Sequence, residues 1–179
     1  MKRDQDEMDE QVLVAYASKH GATAEIAEKI GQVLCQAGLR ADVLPVDQVK
    51  DLTAYHAVVL GSAVYIGQWC KDAAKFLQTH ETPLARRQVW LFSSGPTGKR
   101  GTAESRKDWR LPESLQPIAD HIQPHDITVF HGNLNLKKLN FVEKAMIKKV
   151  NALPGDFRDW ETITAWAAAI ANVLKEDVK

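Results

Sequence analysis

The sequence predicts an α/β fold, in which helices cover both faces of a doubly wound parallel sheet within a single domain. Short apolar runs alternate along the chain with segments of helical periodicity, and this alternation indicates right-handed crossovers between parallel strands. The run Ala57–Ser62 is almost entirely apolar, as expected for a strand that is buried on both faces. The length of 179 residues suits one domain that can bury a substantial core.

Five segments are predicted to be strands. Pro45 near the end of the second indicates an edge strand or a strand end, because proline cannot donate to a sheet ladder. The third is expected to lie centrally, since it is apolar on both faces. In chain order the strands are Val12–Ala17, Ala41–Val46, Ala57–Ser62, Gln88–Ser93 and one that begins at Ile127–Phe130.

Helical patterns fill the connections between the strands. The first helix has an apolar stripe and ends at Gly38, and the last has one apolar face, as helices packed on a sheet require. The first stripe consists of Ile26, Ala27, Ile30, Val33, Leu34 and Ala37, and the last face of Ile163, Trp166, Ala167, Ile170 and Leu174. The predicted helices after the first are Lys71–Thr79, a segment near Ser114–Ile122, Leu136–Val150 and Trp160–Leu174.

Composition limits the classes of protein to consider. Hydrophobic residues make up 45% of the chain and the 23 acidic residues balance the 23 basic ones, which argues against disorder. Cys35 and Cys70 are too few for a disulfide framework or a four-thiolate metal site, and Cys35 is expected to be a small buried hydrophobe. No segment resembles a signal peptide or a membrane span, so we expect a cytoplasmic domain. We expect no nucleic-acid partner.

The domain is expected to cover residues 11–175, after an acidic N-terminus of residues 1–10 that is disordered or frayed. Two stretches, near residues 95–124 and 136–150, are longer than simple crossovers need. Long connections in a compact domain are usually functional or mobile.

The loop after the first strand has the composition of a phosphate-binding turn. In an open parallel sheet, ligands bind beyond the carboxyl ends of the strands. This loop consists of Ser18, Lys19, His20, Gly21, Ala22 and Thr23, and it leads directly into a helix. Two hydroxyl groups, several backbone N–H groups and the positive end of the helix dipole favour an anion there. The alternative is an ordinary strand-to-helix turn with a capping threonine.

Two further loops leave the same edge of the sheet. They contain small residues that allow the backbone to approach a flat ring closely. Tyr65 and Trp69 are candidates to stack on such a ring, although packing in the core or at its rim is an equal alternative. The residues singled out are Ser62, Ala63, Val64, Tyr65, Ile66 and Gly67 after the third strand, and Ser93, Ser94, Gly95, Pro96, Thr97 and Gly98 after the fourth.

These loops resemble those of the flavodoxins. The Ser-x-x-Gly-x-Thr pattern at Ser18–Thr23 is similar to the flavodoxin loop that holds the phosphate of FMN, and the other two loops fall where flavodoxins hold the isoalloxazine ring. The resemblance implies five parallel strands in the order 2-1-3-4-5 and one FMN bound noncovalently. It also makes Gly67 the candidate for the peptide that tunes the charge state of the flavin.

A narrower resemblance links the chain to the bacterial flavodoxin-type protoporphyrinogen oxidases, the menaquinone-dependent protoporphyrinogen IX dehydrogenases of haem biosynthesis. Three segments carry it, namely Leu60–Gly67, the basic stretch Asn140–Lys149 and Asp156–Glu161. It implies an FMN-dependent dehydrogenase that takes electrons from an organic donor, with protoporphyrinogen IX as the candidate, and passes them to a quinone. The flavin would carry the chemistry, so no catalytic side chain is expected.

Five lysines cluster in the second long connection, in contrast to the strongly acidic electron-shuttle flavodoxins. Lys137, Lys138, Lys144, Lys148 and Lys149 are interspersed with apolar residues. A basic amphipathic helix can lie on an anionic membrane surface, where a quinone would be found. The alternative is a solvated helix whose apolar face packs on the domain.

Other readings of the sequence are weaker. Gly95–Lys99 lacks the first glycine and the final Ser or Thr of a nucleotide-triphosphate loop, and no paired acids follow the first strand as a receiver domain requires. His121 and His125 have no carboxylate cluster beside them, so no metal is expected. A flavodoxin-type electron carrier, a quinone reductase with another donor and a flavin-free binding module stay open as alternatives.

Overall fold

The computed structural model describes residues 11–95, 109–150 and 154–177. Its main sheet contains five parallel strands in the order β2-β1-β3-β4-β5, as the resemblance implied. The predicted N-terminal tail, residues 1–10, and part of the 95–124 connection lie outside the described residues. The strands are β1 Gln11–Ala17, β2 Arg40–Pro45, β3 Ala57–Tyr65, β4 Gln88–Ser94 and β5 Asp126–Phe130.

Helices cover both faces of the sheet, which confirms the predicted fold class. Lys71–Thr79 has the predicted bounds. The predicted helix Leu136–Val150 is divided: a 3₁₀ helix covers Leu136–Lys138, and the α-helix begins only at Phe141. The helices are α1 Ala22–Gln36, α2 Lys71–Thr79, α3 Glu81–Leu84, α4 Gln116–Ile122, α5 Phe141–Val150 and α6 Trp160–Glu176. Short 3₁₀ helices span Val46–Gln48, Glu113–Leu115 and Leu136–Lys138.

Two hydrophobic cores form, one on each face of the sheet. On one face α1 and α6 pack against the sheet through residues such as Ile30, Leu34 and Ile170, all of which are buried. On the other face α2 and α4 supply Leu77 and Ile122. The predicted stripe of α6 is buried except for Trp166, which is partly exposed and packs on the same core.

The central strand and one edge strand of the sheet have the burial that their sequences predict. The central strand β3 is buried along Ala57–Val64, whereas β2 is only partly buried and pairs with β1 alone. The edge position of β2 explains why Pro45 is tolerated at its end.

None of the helices in the described ranges is both long and apolar enough to cross a membrane.

Helix α1 ends in a glycine-dependent turn. The N–H of Gly38 donates to the Cys35 carbonyl, and the N–H of Leu39 donates to the Leu34 carbonyl. Gly38 has φ +93°, which favours glycine at this position. The expectation that Cys35 is buried is wrong: it lies on the side of α1 away from the apolar stripe and is exposed.

Candidate functional site

Loops from three strands meet at the carboxyl edge of the sheet. The Ser18–Gly21 loop follows β1, a tight turn at Ile66 and Gly67 follows β3, and Gly95 follows β4. The first two loops are neighbours, because the rings of His20 and Tyr65 lie edge to face with centroids 6.3 Å apart. The structure therefore brings the first two groups of predicted site residues together at one edge.

The Ser18–Gly21 loop leads into a helix terminus that is open to a ligand. Ser18 Oγ accepts a hydrogen bond from the Gly21 N–H at 3.0 Å. Gly21 has φ +93°, and α1 begins at the next residue without a side-chain cap. A hydroxyl that accepts one bond keeps its own hydrogen for donation, so Ser18 can donate to an oxyanion. This arrangement suits a phosphate monoester.

Thr23, the last residue of the predicted loop, lies in the first turn of α1. Its side chain is buried at 1% exposure. It does not cap the helix, in contrast to the alternative of an ordinary turn with a capping threonine. The first turn of α1 thus keeps its backbone N–H groups for a ligand.

The segment predicted as a loop after the third strand is mostly strand. Ser62, Ala63, Val64 and Tyr65 continue β3, and the first three of them are buried. The apolar character of this segment extends the ladder beyond Ser62, where we expected the strand to end. The Ser62 hydroxyl donates to the Ala63 carbonyl at 2.9 Å and accepts from the Cys70 N–H at 3.0 Å.

A two-residue turn closes this strand. Val64 pairs with Trp69, and Tyr65 with Gln68, in a short antiparallel hairpin. Ile66 and Gly67 between them have φ +50° and +70°. A β-branched residue is strained in this conformation, and such strain is found at functional sites.

Of the two aromatic residues proposed to stack on a ring, only Tyr65 remains suitable. Trp69 follows the alternative of packing in the core, because its side chain is buried there and its Nε1–H donates to Ser93 Oγ at 2.8 Å. Tyr65 is partly buried, and Lys19 Nζ lies 5.6 Å from the centre of its ring. Burial raises the pKa of the Tyr65 hydroxyl, so this group is neutral at physiological pH.

The third loop is described only at its start. Ser93 and Ser94 belong to β4 and are buried, and Ser93 Oγ donates to the Arg110 carbonyl at 3.0 Å. Gly95 donates its N–H to the Phe130 carbonyl at 3.0 Å. A Cβ on Gly132 would lie 2.7 Å from the Gly95 Cα, so backbone segments approach closely here. Pro96, Thr97 and Gly98 lie outside the described residues.

The sequence did not predict a charged contact between α5 and the Ser18–Thr23 loop, which is the predicted phosphate loop. The Glu143 carboxylate pairs with Lys19 and also lies 3.4 Å from His20 Nε2. The Lys138 ammonium donates to the His20 carbonyl at 3.3 Å. The Asn140-x-x-Glu143 spacing signals a helix start, but nothing in it indicates a partner more than a hundred residues away.

The surroundings shift the pKa values of two titratable groups at this edge. Hydrogen bonding from Lys19, followed by the Asn140 N–H, lowers the pKa of Glu143, so this carboxylate is charged at neutral pH. Burial raises the pKa of the Cys70 thiol, which favours the neutral thiol over the thiolate. Within the described ranges, no three His, Cys, Asp or Glu side chains are grouped to hold a metal ion.

Comparison with known proteins supports the interpretation of the fold. The sequence model of the Flavodoxin domain family matches residues 13–160. The chain is 24% identical to protoporphyrinogen IX dehydrogenase [quinone] of Escherichia coli K12, over 90% of this chain and 94% of that protein. A flavodoxin from the domain Archaea superimposes with a TM-score of 0.61 at 17% identity, covering 92% of this chain and 99% of that one. A WrbA-like flavodoxin from Agrobacterium tumefaciens gives 0.60 at 17% identity, covering 93% and 98%.

Proposed function

Because the chain belongs to the Flavodoxin domain family, we propose that it is an FMN-dependent oxidoreductase that binds one FMN at the carboxyl edge of its sheet. The observation that carries the proposal is the start of α1, which has no side-chain cap and follows Gly21, whose φ is +93° and whose N–H donates to Ser18 Oγ. A dianionic phosphate satisfies such a site without a metal ion.

Different residues would bind the phosphate and the ring of FMN. Ser18 and the backbone of Lys19–Thr23 would hold the phosphate. Tyr65 offers a ring face for stacking, and Gly67 and Gly95 let the backbone approach the flat ring because neither carries a side chain. When bound, the flavin supplies the electron-transfer chemistry. The Tyr65 hydroxyl is neutral at physiological pH, so it adds no negative charge beside the ring.

For the electron donor and acceptor we propose protoporphyrinogen IX and a quinone. The support is the similarity over nearly the whole chain to protoporphyrinogen IX dehydrogenase [quinone], at 24% identity. Oxidation of this donor to the porphyrin releases six electrons, so three two-electron turnovers of the flavin are required. The competing functions are a flavodoxin-type electron carrier and a quinone reductase with another donor.

Anaerobic mixing distinguishes these functions. The FMN-loaded protein is mixed with protoporphyrinogen IX without oxygen, and the visible absorbance band of the oxidised flavin is followed. We expect the band to bleach and to return when a menaquinone analogue is added. Bleaching by another reductant but not by the porphyrinogen would contradict the donor assignment and leave the carrier or the reductase.

An apolar and basic surface next to the site is the candidate place for the protein to contact the quinone. In the described ranges, every large hydrophobic residue that is exposed lies at Ile66 or between residues 136 and 160. They are Ile66, Leu136, Phe141, Val142, Met146, Phe157 and Trp160. Phe141, Val142 and Met146 of α5 are therefore exposed to solvent, whereas the alternative of a solvated helix requires its apolar face to pack on the domain. The five lysines of residues 137–149 accompany them, and only Glu143 opposes their charge.

We propose that this surface rests on an anionic membrane, which attracts basic segments with about 1 kcal/mol per lysine. The test is cosedimentation with phosphatidylglycerol vesicles. Changing all five lysines to Gln should weaken binding at least about tenfold, whereas a control with five other lysines changed should bind normally. The control lysines are Lys29, Lys50, Lys71, Lys75 and Lys175. Equal losses in both variants, or no binding by the wild type, would contradict the proposal.

A further inference from the structure

Glu143 fastens the α5 helix to the loop that precedes α1. Its carboxylate pairs with Lys19 and lies 3.4 Å from His20, and only 12% of its side chain is exposed. Its backbone N–H donates to Asn140 Oδ1 at 2.8 Å, and its Oε2 accepts from the Asn140 N–H at 2.9 Å. The same side chain thus caps the start of α5 and reaches the phosphate loop.

The rest of α5 has little attachment to the domain. From Phe141 to Lys149, only Glu143 and Ile147 are partly buried, and the other side chains are exposed. The second tie is Lys138, which comes just before the helix and donates to the His20 carbonyl. The polar contacts of this segment with the loop before α1 therefore run through Lys19 and His20, beside the apolar burial of Leu139 and the partial burial of Ile147.

A phosphate held by this loop would lie beside the same basic side chains. Lys19 and His20 are the basic side chains of the loop, and Glu143 places a carboxylate beside both. A carboxylate and a phosphate dianion repel each other, and each is stabilised by the same ammonium group. Lys19 also lies over the ring of Tyr65, where a flavin would stack.

We propose that Glu143 competes with the phosphate of FMN for Lys19 and His20, so that flavin binding loosens α5 and α5 in turn sets the affinity for flavin. The inference rests on the proposed function, because it takes FMN as the ligand of this loop. It assigns Glu143 as a positioning residue that determines affinity, with no contact to the reacting atoms.

The first experiment compares Glu143→Gln with the wild type by fluorescence titration with FMN and with riboflavin. Glutamine keeps the helix cap, because a neutral amide at this position also accepts from the Asn140 N–H. We expect FMN to bind about three- to tenfold more tightly and riboflavin, which has no phosphate, to bind as before. Glu28→Gln on the exposed face of α1 is the control and should change neither affinity.

Equal effects on FMN and riboflavin, or none, would overturn the inference while the proposed function stands. If the wild type binds no FMN, the proposed function and the inference fail together. A double-mutant cycle with Lys19→Gln shows the route, because the gain from Glu143→Gln should shrink when Lys19 is already neutral.

The second experiment measures α5 itself. Hydrogen exchange of residues 140–149 is compared in the wild type with and without FMN, and in Glu143→Gln without FMN. Both FMN and the substitution should increase exchange in this segment, since each removes the same contact. Unchanged or slower exchange on adding FMN would overturn the competition.

Discussion

Among single side chains, Ser18 is central to the proposed phosphate site. It already accepts the Gly21 N–H at 3.0 Å, so its orientation is fixed before any ligand arrives. This fixed geometry reduces the ordering cost that a flexible loop would pay on binding. The sequence pattern predicted the loop, but the bond to Gly21 could be seen only in the structure.

A substitution at Ser18 tests the phosphate assignment. Asp can still accept from the Gly21 N–H, but it places a negative charge where the phosphate would lie. We expect Ser18→Asp to weaken FMN binding by at least about 100-fold, because like charges at short range repel strongly. Ser18→Asn is the neutral control and should stay within about tenfold of the wild type. Similar affinities for both variants, measured by fluorescence quenching, would contradict the assignment.

Ile66 is the most strained residue at this edge. It has φ +50° and is 57% exposed, so no burial compensates for its conformation. Two-residue turns of this kind strongly prefer Asn followed by Gly, and Gly67 already occupies the second position. Conformational preference alone would therefore not place isoleucine here, which is consistent with a role in binding.

Removing this strain should stabilise the protein. Ile66→Asn is expected to raise the free energy of unfolding by about 1 kcal/mol, because asparagine tolerates left-handed backbone angles. Ile66→Val, which keeps the β-branched side chain, should give no gain. Urea denaturation measures both variants. A less stable Asn variant would show that the Ile66 side chain contributes more than its backbone strain costs.

Among the elements, the start of α6 is braced against α1 by Arg158. Its guanidinium binds both carboxylate oxygens of Asp156 and also pairs with Glu25 in the first turn of α1. It lies 4.8 Å from the ring centre of Trp160, and its side chain is only 6% exposed. The brace holds the segment after α5 close to the phosphate loop.

Loss of this brace should be measurable. Arg158→Ala is expected to lower the free energy of unfolding by about 1 kcal/mol, a small value because Asp156 and Glu25 are partly solvated. Arg158→Lys should recover only part of the loss, since an ammonium cannot bind both oxygens in the same plane. An alanine variant with wild-type stability in urea would contradict the role of the brace.

The contribution of Arg158 should also depend on pH. Hydrogen bonding from Arg158 lowers the pKa of Asp156 below its usual 3.8. A carboxyl with a lowered folded-state pKa contributes stability above its unfolded pKa and loses it as the pH falls through the folded value. The stability difference between wild type and Arg158→Ala should therefore be full at neutral pH and shrink below about pH 4. A difference that stays constant in acid would contradict this linkage.

Sequence patterns predicted the elements better than the contacts between them. The apolar stripe of α1 and the buried run of β3 follow from periodicity, because each element buries one stripe or both faces. The extension of β3 through Tyr65 was missed, since small and apolar residues suit a strand as well as a loop near a ligand. The packing of Trp69 in the core and the pairing of Lys19 with Glu143 depend on tertiary distances that no local pattern encodes.

For the whole molecule, the fold and the candidate site both support the proposed FMN-dependent oxidoreductase. The five-stranded parallel sheet places the predicted phosphate loop, the turn at Ile66 and Gly67, and Gly95 at one edge. The basic helix α5 lies beside the predicted phosphate loop. The family match establishes the domain type, and the similarity to a quinone-linked dehydrogenase suggests the redox chemistry. The central claim is that this edge binds FMN.

The most direct measurement is an absorbance and fluorescence titration of the purified protein with FMN. We expect saturable binding of one FMN per chain, with a shifted flavin spectrum and quenched fluorescence as the ring enters a less polar site beside Tyr65. We also expect weaker binding of riboflavin, which lacks the phosphate that the Ser18–Gly21 loop would hold. An unchanged flavin spectrum at saturating FMN, or equal affinity for the two flavins, would contradict the proposed FMN site.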